Sequence, residues 1–421
     1  MYKLYGDGIH DDAPALQEMI DSGVCEVILP PPEKHYLISK PLELPSNFRL
    51  VLPRFAHIRL ADNSNCVMVK NKMVRDFKNR LSEEVYKNDV QKHIWSYIDD
   101  FSPDAPSENI ELCGGIWDLN NENQLPNPEQ GKNFSVREFY GCGMLFYNVK
   151  NLIIKNLTVK DPSQYGMAFD TVSYFTVENI TFDYNLGNPV PLNMDGVHLD
   201  GNCHYGTIKN LKGVCYDDLV AVNAHEGSRG DITNIDIDGI YAENCHSAVR
   251  LLTVKNQVKN IHITNVYGTY YQYVVGLTKF YPGENTGCFD GITLDNLYVS
   301  KCMPVKKGDF QHPPKVEQCF PVIWVQENTV VKNLFVSHLH RRETALPMAT
   351  VHVGDNATVS RLLLYNITTE RKIEEEMPLL NNRGNIEYLS IERCDSGKDE
   401  MIKLGGNGKI GTIEGQKTVE I

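Results

Sequence analysis

The chain has 421 residues, 42% apolar and 23% charged, with Lys+Arg 41 against Asp+Glu 54 and a formal net charge of −13. Ordinary globular usage with an acidic balance excludes a collagen-like or low-complexity chain and argues against a nucleic-acid partner, which would call for a basic face. No stretch approaches the roughly 18 consecutive apolar residues of a membrane helix, so no membrane partner is expected either.

At the N-terminus, Met1-Tyr2-Lys3-Leu4-Tyr5-Gly6-Asp7-Gly8 has neither a basic nor an apolar leader region, so a signal peptide is not expected. Asp11 to Ile20 reads as a short helix with Asp11 or Asp12 at its N-cap and acids suited to the dipole in its first turn. Val27-Ile28-Leu29 and Tyr36-Leu37-Ile38 read as strands around a Pro-rich turn. The charged stretch Lys72–Asp99 is expected to be a helical insertion.

From residue 154 onward one short pattern recurs: apolar, any, Asn or a similar residue, apolar. Its copies start at Ile154, Val177, Ile208, Ile237, Ile263 and Leu294, with looser ones at Val336, Leu364 and Ile391. They are separated by 23 to 42 residues, mostly by 23 to 31. Each unit holds short β-branched runs of period two broken by Gly, Asn or Asp, and no amphipathic helix lies between units. That spacing fits one coil of a parallel β-helix better than a propeller blade of roughly 40–45 residues. A single coil cannot bury its apolar face, so neighbours must stack, and the recurrent Asn fits a turn that needs the left-handed backbone region. The expected fold is all-β: a single-stranded right-handed parallel β-helix with an N-terminal capping helix. It is read as one domain over 1–421, with cap and first coils at 1–70, the helical insertion at 71–100 and the remaining coils at 101–421.

The eleven cysteines are scattered and form no CxxC or CxxH pattern, so no metal site is expected. A dispersed, odd set suits a reducing compartment, and a cytoplasmic location is expected, with secretion as the alternative. The sequons at Asn133, Asn156, Asn179, Asn356 and Asn366 read as by-products of Asn-rich turns. No phosphate-binding glycine motif follows a strand, and no cofactor is expected.

Two acidic clusters lie inside the ladder: Asn193-Met194-Asp195-Gly196-Val197-His198, and Tyr216-Asp217-Asp218 followed by Leu219-Val220-Ala221. Asp195 precedes Asp217 by 22 residues and Asp218 by 23, one coil, so the three carboxyls are expected on adjacent rungs. Like charges this close cannot all ionise freely, and the arrangement offers a general acid beside a general base. Arg250 stands 32 residues beyond Asp218 and could bind a carboxylate or a hydroxyl pair. His225 and Glu226 follow the second cluster and either contribute to the site or form an ordinary polar turn. The aromatic run that includes Tyr271 offers rings for stacking on sugar or for packing between coils. Asn193 and His198 complete the candidate binding residues, although a histidine in a β-rich core is more often structural.

These motifs resemble those of the polygalacturonases, glycoside hydrolase family 28, within the pectin-lyase-like superfamily. Gly6-Asp7-Gly8 with Asp11-Asp12 resembles the superfamily's entry motif, and Asn193-Met194-Asp195-Gly196 resembles Asn-Thr-Asp-Gly with Met for Thr. Asp217-Asp218-Leu219-Val220-Ala221 resembles Asp-Asp-Cys-Ile-Ala, and Val249-Arg250-Leu251-Leu252 resembles the Arg-Ile-Lys segment with Leu252 in place of Lys. The family's Gly-His-Gly does not occur in the chain, and His225-Glu226-Gly227 is the nearest candidate replacement. The resemblance implies a glycosidase acting on an oligosaccharide or polysaccharide with inversion, Asp217 being the acid and Asp195 and Asp218 activating water. Loss of the Lys turns the expectation toward a substrate other than galacturonan. A lyase, an intramolecular glycosyltransferase and a non-catalytic glycan-binding β-helix are the alternatives. The expected partner is a carbohydrate, and homo-oligomerisation stays open.

Overall fold

The computed structural model describes residues 3–72, 105–125, 141–185, 193–281, 287–304 and 319–415. The chain forms two compact units. One holds the described residues up to Asp218 together with Glu226–Arg229; the other holds Leu219–His225 and the described residues from Gly230 onward.

In the first unit, strands Glu26–Ile28, Phe48–Val51, Ser107–Cys113, Met144–Lys160, Met167–Asp183 and His204–Val214 pair in parallel, each with the next. The repeat fixes the register: Ile154 faces Val177 and Val177 faces Ile208. All three are fully buried. Each such aliphatic side chain contributes about 1.5–3 kcal/mol by leaving water, so a one-residue slip, which turns every inward side chain outward, is strongly disfavoured.

The second unit repeats the device. Strands Ile232–Leu252, Gln257–Thr278, Cys288–Lys301, Val330–Glu343, Thr358–Arg371, Asn385–Glu392 and Lys409–Gly415 form parallel rungs. Ile237, Ile263, Leu294, Val336, Leu364 and Ile391 stand in one register column, and each is at most 2% exposed. The periodic apolar pattern therefore marked the wall of a parallel β-helix, as expected.

The recurrent Asn takes the expected turn role. Asn156, Asn179 and Asn210 have φ of 58°, 57° and 53°, a region that costs most L-residues energy but that Asn tolerates. Their amides form a ladder, Asn179 donating to Asn156 at 3.0 Å and Asn210 donating to Asn179 at 3.2 Å. The sequon residues Asn356 and Asn366 share this left-handed conformation; Asn133 lies outside the described residues.

Near the N-terminus a helix spans Ala13–Ile20 and buries Ala13, Leu16 and Ile20. Asp12 occupies its N-cap position, but its carboxylate accepts from the amides of Tyr5, Gly6 and Leu37 and does not cap the helix. The first turn carries no acid; Pro14 near its start lacks an amide that would need capping. Asp11 and Asp12 thus tie the entry segment down, Asp11 accepting from the Ala13 and Ser39 amides. The helix expected within Lys72–Asp99 lies, from residue 73 on, outside the described residues.

Candidate active site

The turn that carries the first acidic cluster is positioned by backbone. Asn193, half-buried with φ of 51°, bends the chain, and Met194 is fully buried beneath it. The Asp195 carbonyl accepts from Gly166 N at 2.8 Å and from the Tyr184 hydroxyl at 3.1 Å. The two clusters then lock together: Gly196 N donates to the Asp218 carbonyl at 3.0 Å, and Asp218 N donates to Asp195 Oδ1 at 3.0 Å. The coil spacing has thus put Asp195 and Asp218 on neighbouring rungs. Asp195 is 1% exposed and Asp218 is fully buried. Asp217 is half-buried, and one of its carboxylate oxygens lies within 4.8 Å of one from Asp218.

His198 completes the arrangement. It is fully buried, its Nδ1 lies 2.6 Å from Asp195 Oδ2, and its Nε2 lies 3.2 Å from Asp200 Oδ1 and 3.1 Å from Glu226 Oε2. Tyr165 stacks on the ring at 3.9 Å between centroids. Burial opposes a charge on this imidazole, yet the Asp200 charge and the hydrogen bonds to Asp195, Asp200 and Glu226 outweigh it and raise its pKa well above the usual value. His198, Asp200 and Glu226 offer side-chain atoms within 4.8 Å of one another, and His198 Nε2 lies at hydrogen-bond distance from both carboxyls.

A further buried carboxyl faces Asp200. Asp170 is fully buried; its Oδ1 accepts from the Thr171 hydroxyl at 2.8 Å and its Oδ2 from Ser228 N at 3.0 Å. Burial and the charge of Asp200 push Asp170 up to about 7. The Glu226–Arg229 segment approaches this pair only because Gly227 has no side chain: a Cβ there would come within 2.5 Å of Asp200 Cβ and 2.6 Å of Asp170 Oδ2.

Of the expected site residues, the first unit brings together Asp195, Asp217, Asp218, His198 and Glu226. His198 and Glu226, expected to bind sugar, are buried and engaged with other site carboxyls. Asp170, Asp200 and Tyr165 were not anticipated. The signal for Asp170 was available: it precedes Asp200 by 30 residues, one coil, and the strands Met167–Asp183 and Val197–Leu199 pair with Phe169 opposite Leu199.

The second unit holds the other candidates. Arg250 is half-buried on the strand Ile232–Leu252, with its guanidinium 5.9 Å from the Phe280 ring centroid. Leu252 is fully buried. His225 is half-buried and tilts against Tyr281 at 5.7 Å. Tyr271 is 2% exposed and meets His246 edge-on at 5.1 Å, so its ring packs inside the unit.

The family model of "Glycosyl hydrolases family 28" matches residues 129–302, a segment that contains both acidic clusters and Arg250. No curated protein sequence matches the chain. Among solved structures, an exopolygalacturonase from Thermotoga maritima has a TM-score of 0.58 at 13% identity, covering 99% of this chain and 90% of that one. The A-module of the mannuronan C-5 epimerase AlgE4 from Azotobacter vinelandii has a TM-score of 0.59 at 13% identity, covering 98% of each chain. PfbA, a surface adhesin of Streptococcus pneumoniae, has a TM-score of 0.53 at 16% identity, covering 98% of this chain and 92% of that one. Likeness at such identities shows the shared fold. The chain is a parallel β-helix whose central segment, residues 129–302, matches the model of glycosyl hydrolases family 28, the family its two aspartate motifs resemble.

Proposed function

We propose that this protein is an inverting glycoside hydrolase in which Asp217 is the general acid and Asp195 and Asp218 activate water. The observation that carries the reading is the interlock of the two acidic clusters, with the Asp218 amide on Asp195 Oδ1 and the more exposed Asp217 alongside. In the reaction, Asp217 gives its proton to the leaving glycosidic oxygen as the bond to the anomeric carbon breaks. A water attacks that carbon from the opposite face and loses a proton to Asp195 or Asp218, which inverts the centre. Such acid–base assistance contributes roughly 10²–10⁴-fold.

Arg250 is the candidate contact for a carboxylate or a hydroxyl pair. The buried, apolar Leu252 stands where the family's motif has Lys, which favours a substrate that depends less on a uronate carboxylate than galacturonan does. Eleven free cysteines suit a reducing compartment, so we place the reaction in the cytoplasm, on oligosaccharides. The test is a panel of uronate-containing and neutral oligosaccharides followed for new reducing ends and for ultraviolet absorbance. Hydrolysis gives reducing ends alone. An absorbing, unsaturated product would assign a lyase, and tight binding with no product would assign a glycan-binding protein.

A further inference from the structure

Sugar-binding was the role expected for His198 and Glu226, and their burial gives them another. Resting on the hydrolase reading, we propose that His198 is a positioning residue: its ring, clamped by Asp200 and Glu226, holds the Asp195 carboxylate in place as the water-activating base.

Three observations support this. Asp195 has one oxygen on the Asp218 amide and the other on His198 Nδ1, at 3.0 and 2.6 Å, so its orientation is set from both sides. The far nitrogen of the ring meets Asp200 at 3.2 Å and Glu226 at 3.1 Å. Two acids at Nε2 are more than a neutral ring needs, whereas they match the second N–H of an imidazolium. Finally, Tyr165 lies parallel to the ring at 11°, a contact that favours a cation over the face of a phenol.

The charged and titratable groups around the ring come from several elements: Asp195 and Asp200 flank it in sequence, Glu226 comes from the segment after the second acidic cluster, and Tyr165 precedes the strand that carries Asp170. Asp170 faces Asp200, whose charge pushes it up. A histidine packed here only for shape would not need this set. One cation facing three acids makes the ionisation of Asp195 depend on whether Glu226 and Asp200 keep the ring protonated.

The test uses the full chain labelled for histidine ring-nitrogen and carboxyl-carbon NMR, with the His198 signal assigned by its loss in His198→Asn. In the wild type the ring stays doubly protonated well above neutral pH. Glu226→Gln, which preserves shape, should move the loss of the His198 proton down in pH by ~1–3 units, and His198→Asn should move the ionisation of Asp195 up by ~1–3 units. A ring that is neutral at pH 7, or a titration unmoved by Glu226→Gln, would overturn the proposal even if His198→Asn does not fold. Neither readout needs turnover, so a panel that yields no product sinks the hydrolase reading and leaves the clamp to be decided by NMR. With a turned-over substrate, the acid limb of kcat/KM should move up in pH for His198→Asn and the basic limb down for Glu226→Gln. A uniform loss of rate with an unchanged pH profile would return His198 to a structural role.

Discussion

Each unit contains a buried cluster of charges, and the two are built in opposite ways. In the second unit, Lys301 donates to the carbonyls of Tyr271, Gln272 and Phe320. Arg341 donates to Glu343 and also to Met348 O and Thr350 Oγ1, while Glu343 accepts the amides of Thr344, Ala345 and Leu346. Cations outnumber anions there, and main-chain carbonyls absorb the excess. In the first unit Asp170, Asp195, Asp200, Asp218 and Glu226 are all buried, and His198, its pKa raised well above the usual value, is placed among them. Burial and the Asp200 charge push Asp170 up to about 7, so it holds a proton far more readily than an ordinary carboxyl. The comparison separates two uses of buried charge. A saturated cluster contributes to the fold, whereas a cluster with shared protons is suited to moving them.

Breaking each cluster should therefore damage different properties. The largest effect is expected from Asp218→Asn, which should cut turnover by ~10²–10⁴-fold with the melting temperature nearly unchanged, checked by kinetics beside calorimetry. Lys301→Met should do the reverse. It strands one buried and two partly buried carbonyls, the buried one at ~1–3 kcal/mol, so denaturant unfolding should show a loss of stability with normal turnover per folded molecule. If Lys301→Met abolished turnover in folded protein, the division between the clusters would fail.

Asp170→Asn gives a smaller effect whose sign depends on pH. A carboxyl with a raised folded pKa contributes stability that is present at low pH and lost as pH rises through the folded value, here about 7. Asn has no such loss. The variant's unfolding free energy should thus gain on the wild type as pH rises from 3.8 to about 7, at about 1.4 kcal/mol per pH unit, and level off above that. A gap that does not change with pH would show that no proton is held there. Lys301, drawn down to about 7 by burial, should have the opposite slope and contribute more as pH rises. The smallest change is expected of Arg250→Ala, about tenfold weaker binding of an acidic oligosaccharide by calorimetry, with less change for a neutral one. Equal losses on both would limit Arg250 to positioning.

Most of the fold was legible because a parallel β-helix writes its register into the sequence. Ile154, Val177 and Ile208 recur at coil spacing, and each Asn that follows them marks the same left-handed turn. The pairing of Asp195 with Asp218 was legible for the same reason. His198 and Glu226 were singled out from the sequence but their burial against Asp195 and Asp200 was not, since sequence spacing does not say which side of a turn a side chain enters. Asp170 and Asp200 were missed because neither lies in an acidic doublet; they are joined by coil register and by the bare backbone of Gly227. The capping role assigned to Asp11 or Asp12 missed because loop amides compete for the same carboxylates.

The reading of Asp217 as acid opposite a water held by Asp195 and Asp218 is tested most directly by proton NMR of the first product formed by the wild-type protein. Inversion predicts that the new reducing end appears with the opposite anomeric configuration to the bond cleaved, before mutarotation mixes the two. A first product that retains the configuration would contradict the account, because it would require a carboxylate bonded to the sugar where water is proposed to attack.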